Sequence, residues 1–126
     1  CGTELAHNIS HALADLAPIP HGRATGLAML ATMDWVAEGA PESFARVAAS
    51  MGERPEASAA VKAYERLVRA TGMKISLVGD GLELDRPDVL AKRMASAANA
   101  PMRKSASRYP EDLDLLELAR RLYALS

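Results

Sequence analysis

A chain of 126 residues is long enough for one compact domain with its own core, and at 49% hydrophobic and 25% charged it has the composition of an ordinary globular protein. The formal net charge of −1 excludes the basic field that nucleic acid or an anionic membrane surface requires, and no apolar run approaches the ~20 residues that span a bilayer. A single cysteine, Cys1, excludes an internal disulfide framework; with no leader pattern, a cytoplasmic protein is the expectation.

Six helical segments and no convincing strand follow in chain order. The first covers about Glu4 to Leu16, with Thr3 as a candidate N-cap, and Pro18-Ile19-Pro20 ends it because proline cannot continue the hydrogen-bond ladder. A second runs from about His21 to Glu38, with Leu27, Leu30, Met33, Trp35 and Val36 as its apolar surface and Gly39 as its stop. The third, Pro41 to Met51, places Phe44, Val47 and Ala48 on one face. The fourth, about Glu56 to Thr71, does the same with Val61, Tyr64, Leu67 and Val68.

Met73 to Arg86 is the loosest stretch: Ile75 to Val78 reads as a short extended piece and Val78-Gly79-Asp80-Gly81-Leu82 as a turn. A fifth helix opens at Pro87 and runs to about Ala98, and Asn99 to Arg108 reads as a loop. The sixth starts at Pro110, with the stripe Leu115, Leu118, Leu122 and Leu125. Scarce aromatics and Ala-rich helices point to an all-α, closely packed bundle of about six helices.

The chain opens Cys1-Gly2-Thr3 without Met and runs almost at once into its histidines, so the expectation is a fragment, residues 1–126 forming one helical domain. All three histidines, His7, His11 and His21, fall within 15 residues. His7 and His11 are one helical turn apart on one face, and Asp15 continues that line. His21 follows the proline-rich turn, where the chain can fold back toward His7. Neutral imidazoles are favoured ligands for zinc, iron, copper and nickel, and two elements joined by a tight turn can bring them to one ion. Against this, a histidine on a helix is commonly an ordinary surface or hydrogen-bonded residue, and spacing alone does not separate the two readings. Residue 8 is Asn, so the pair is not the HExxH pattern of metalloproteases.

His7-Asn8-Ile9-Ser10-His11 followed by Ile19-Pro20-His21-Gly22 resembles the signature of the iron-containing (group III) alcohol dehydrogenases: an HxxxH helix, a short linker, and a Pro-His-Gly turn into a long helix. Asn99 to Arg103 and Pro110-Glu111-Asp112 extend the similarity to the end of the chain, though only residues 7 to 22 are specific. The resemblance implies the helical C-terminal domain of the fold shared with dehydroquinate synthase. It also implies His7 and His21 as ligands of a divalent metal, Fe2+ or Zn2+, and His11 as a catalytic neighbour helping proton transfer. The reaction implied is hydride transfer between a small alcohol or aldehyde and NAD or NADP, with the metal as Lewis acid.

The sequence departs from the family pattern at Leu27 to Met33, where many members carry Leu-Pro-His, and at Asp15, where small residues are common and solvation is the simpler reading. The chain has no GxGxxG or comparable Gly-rich turn, so the nucleotide would be held mainly by an N-terminal domain absent from this sequence. The full-length form is then expected to be a homo-oligomer, with no nucleic-acid or membrane partner, and the isolated piece is expected to be inactive. Two other readings stand beside this one. A dehydroquinate synthase-like lyase has a longer linker to its His-Gly turn, and a non-catalytic helical interaction module would leave the histidines as ordinary polar residues.

Overall fold

The computed structural model describes residues 3–104 and 108–126, and among them it is all-helical. The helices are α1 (Thr3–Ala14), α2 (His21–Gly39), α3 (Pro41–Ser50), α4 (Ala57–Ala70), α5 (Pro87–Met94), α6 (Ala100–Lys104) and α7 (Asp112–Tyr123), with one 3-10 turn at Ala97–Asn99 before α6. The expected cap at the Thr3 side chain, and Cys1 itself, lie outside the described residues. No described helix is long and apolar enough to cross a membrane.

α1 is the centre of the molecule. Leu5, Ala6, Ile9, Ala12 and Leu13 are completely buried, and the helix packs on α2, α5 and α6. The long α2 lays Leu27, Ala28 and Val36 against this core, α5 adds Leu90 and Met94, and α7 adds Leu115, Leu118 and Leu122. Burial of each large side chain is worth about 1.5–3 kcal/mol, so the four-helix contact of α1, α2, α5 and α7 carries most of the hydrophobic stabilisation. Small residues at Ala12, Ala24, Ala28 and Ala31 let the helices approach closely. α3 and α4 form a side layer with a satellite core of Met33, Ala48 and Ala60.

The structure corrects four sequence expectations. α5 stops at Met94 rather than near Ala98, and residues 99–104, where the sequence suggests a loop, are helical; residues 105–107 of that loop lie outside the described residues. The chain leaves the helix at Ser96, which is extended (φ −65°, ψ 157°), and the Arg93 carbonyl that the next turn of α5 would have used accepts instead from Ser96 N–H at 3.2 Å and from the Asn99 side-chain amide at 2.8 Å. Pro101 then sits in a first helical turn, where proline needs no N–H. On α3, Val47 is 42% exposed although helical spacing puts it on the apolar face, and on α4 the same is true of Leu67 at 57%. Both belong to side-layer helices with one covered surface. In the 73–86 stretch Ile75 and Leu77 are buried and Val78 exposed, and Gly79 and Gly81 take φ of 88° and 89°, as the expected turn requires.

Candidate metal centre

Nearly every residue of α1 from Leu5 to Leu13 is buried except at His7 and His11, which with Ala14 and Asp15 form its one open stripe. His7 is half-buried and His11 exposed; Asp15 is exposed, in keeping with a solvated carboxylate. The turn that brings His21 back is held locally. Leu16 and Ala17 both donate to the Leu13 carbonyl at 2.9 Å, Ile19 donates to Ala17 at 2.9 Å, and the Ile19 side chain is buried. Pro20, with φ −54° and ψ 135°, is the N-cap residue of α2, so His21 is its first helical residue.

The three imidazoles gather around His21. Its ring centre lies 5.7 Å from that of His7 with the planes tilted by 40°, and 6.0 Å from that of His11 at 75°. Thr25 Oγ1 stands 3.5 Å from His21 Nε2, the outer limit of a hydrogen bond. With metal–nitrogen bonds of about 2 Å, two rings on one ion have centres about 5 Å apart, so His7 and His21 fit as two nitrogen donors after a small closure. Among the described residues no set of three or more His, Cys, Asp or Glu side chains converges closely enough to hold an ion. The donor set gathered here is therefore partial.

Two side chains that sequence reasoning missed hold the cluster's supports in place. Arg23, two residues beyond His21, donates from Nη1 and Nη2 to both oxygens of Asp80 at 2.8 and 3.0 Å. It also donates to the backbone carbonyls of Lys74 at 3.0 Å and Ser76 at 2.8 Å. The Arg23 hydrogen bond, the largest effect, holds the Asp80 carboxyl below its ordinary pKa; burial opposes it, and the Lys74 hydrogen bond and the two positive charges add to the lowering. Asn8, between the two histidines of α1 and fully buried, donates through Nδ2 to the carbonyls of Met94 and Asn99, both at 3.0 Å, and its Oδ1 has no partner. An Asn in the middle of an apolar helix face was a visible signal. Arg23 on a helix with other charges was not.

The cluster lies on an open face. A recess of about 250 Å³ is lined by Leu16, Leu82, Arg86 and Tyr123 among others, a second of about 420 Å³ lies between the ends of α2, α3 and α4, and neither contains a histidine.

Compared with known proteins, residues 1–120 match the sequence profile of the C-terminal part of the Fe-containing alcohol dehydrogenase family. No curated protein matches the chain.

Proposed function

Because the chain belongs to the Fe-containing alcohol dehydrogenase family, as its C-terminal helical part, we propose that it supplies metal-holding and proton-transferring histidines for hydride transfer between a small alcohol or aldehyde and NAD or NADP. The observation that carries this reading is the approach of the His7 and His21 rings to 5.7 Å from two different helices. His7 and His21 are the ligands offered by this chain, and the remaining donors and the nucleotide contacts come from residues outside the cluster. A bound divalent metal, Fe2+ or Zn2+, supplies Lewis-acid polarisation of the C–O group here.

The residues of the chain do the rest. α1, buried on its other sides, holds the half-buried His7 at the edge of the core, so the backbone that carries this ring is ordered before binding. His11, exposed and 6.0 Å from His21, takes up the hydroxyl proton on a ring nitrogen as an alcohol is oxidised and returns it in the reverse direction. The open face leaves the three rings accessible to substrate and nicotinamide together.

The test is metal analysis beside NAD(P)-linked alcohol oxidation, in the active protein carrying single substitutions. His7→Ala and His21→Ala are expected to lose metal and turnover together. His11→Ala is expected to keep its metal while kcat falls about 10²-fold or more, the usual contribution of a positioned acid–base group. A His21→Ala protein that retains full metal content and rate would sink the reading.

A further inference from the structure

The first turn of α2 carries His21 but is weakly built. Its N-cap is Pro20 with no side-chain cap bond, its first turn holds no acidic residue, and Gly22 stands next to His21 with nothing within 4 Å of where its Cβ would be. An uncapped helix start with an exposed glycine frays readily, since its first N–H groups lack partners and glycine costs about 1 kcal/mol relative to alanine. Arg23 offsets this. Its guanidinium makes four hydrogen bonds into one segment, residues 74–80, and the Arg23 and Asp80 side chains are only 15% and 19% exposed. That segment is itself anchored through the buried Ile75 and Leu77.

We propose that Arg23 is a positioning residue for His21: the fork of Arg23 on Asp80 and the 74–76 backbone keeps the first turn of α2 wound, so that the His21 ring stays beside His7. The proposal rests on the reading of His21 as a metal ligand. Physically it is a preorganisation effect. If losing the tether leaves the turn wound in about one molecule in ten, apparent metal affinity falls by the same factor of about ten, because only the wound form presents both rings. Lysine is a poor substitute, being unable to make the two-pronged contact while also reaching two carbonyls.

The experiment is a Zn2+ titration of the 126-residue chain against a competing chromophoric chelator, with amide hydrogen exchange at Ala24, whose N–H donates to the Pro20 carbonyl at 2.9 Å. Arg23→Met is expected to weaken zinc binding about tenfold and to speed exchange at Ala24 by a similar factor, with the helical circular dichroism otherwise kept. Arg23→Lys is expected to recover part of both losses. Asp80→Asn, which keeps an acceptor but removes the charge, should shift both readings in the same direction by less and serves if Arg23→Met fails to fold. Arg66→Ala, which breaks the exposed pair with Glu53, should change neither.

The decisive comparison is the same Arg23→Met change in a His21→Ala background, where no further loss of zinc affinity is expected. A tenfold loss that persists without His21 would overturn the positioning role, as would unchanged affinity in Arg23→Met while His21→Ala weakens binding. If His21→Ala itself leaves zinc binding untouched, the metal reading fails and the proposal fails with it.

Discussion

Asp80 accepts from Arg23 at 2.8 and 3.0 Å and from Lys74 at 3.4 Å, and these cations keep it ionised to lower pH than an ordinary carboxylate. Since folding lowers its pKa, its contribution to stability is complete above the unfolded value of about 4 and disappears as pH falls through the lower folded value. Asp80→Asn is therefore expected to cost about 1–2 kcal/mol at neutral pH, in the range of charge-assisted hydrogen bonds in partly screened surroundings. Thermal melts from pH 6 down to pH 2 should show the two proteins converging below about pH 4. Parallel curves would mean that the charge on Asp80 does not stabilise the fold. The three histidines were legible in the sequence as a spacing of four and ten. The Arg23–Asp80 fork was not, because it joins residues 57 apart and leaves no local pattern.

Helices were the legible elements where one face is apolar along its whole length, as in α1 and α7, whose buried residues recur at helical spacing. Their ends were less so. The Asn99 side-chain amide and the Ser96 N–H together take the Arg93 carbonyl where α5 stops, and the apolar Val47 and Leu67 sit on helices with too little neighbouring surface to cover them. The C-terminal end of α2 shows a similar side-chain control. Arg108 lies with its guanidinium 4.0 Å over the Trp35 ring and donates to the Trp35 carbonyl at 2.7 Å and to Glu38 at 3.0 Å. Gly39 is what gives it room: a Cβ there would stand 2.9 Å from Arg108 Cβ and 3.0 Å from its Cδ. By helix propensity Gly39→Ala should stabilise by up to about 1 kcal/mol. We expect the opposite, a loss of about 1 kcal/mol, because the methyl displaces Arg108 near its backbone rather than at its flexible tip. In an Arg108→Ala background the same Gly39→Ala change should become neutral or favourable, and urea melts of the four proteins read that change of sign. Gly39→Ala stabilising the otherwise unchanged chain would overturn the steric account.

Across the whole molecule, the histidine-bearing helix is joined to the C-terminal third of the chain by Asn8, whose carbonyl partners Met94 and Asn99 are 86 and 91 residues away. Asn8 is completely buried, and both neighbours of its amide are carbonyls, so its two N–H groups must face them; its Oδ1 is left without a partner as a consequence. This arrangement fixes the rotation of α1 about its axis. The apolar face of the helix alone tolerates some rolling against Leu90 and Met94, whereas two directed bonds do not. Replacing Asn8 by leucine separates the two contributions, since it keeps the branched skeleton with somewhat more bulk, adds apolar surface and removes both donors. Burying the leucine is worth about 1.5–3 kcal/mol. Two buried carbonyls deprived of their donor cost about 1–3 kcal/mol each, partly offset by the disappearance of the unpartnered oxygen. The hydrogen-bond loss is the larger, and Asn8→Leu should destabilise by about 1–2 kcal/mol, seen as a lower denaturant midpoint with an unchanged slope. Asn8→Asp keeps the shape but points acceptors at acceptors with a buried charge, so it should cost more, about 3 kcal/mol or above at neutral pH, and recover partly in acid as the carboxyl gains a proton to donate. An Asn8→Leu chain as stable as the original would show that packing alone sets the orientation of α1, and with it the approach of His7 to His21.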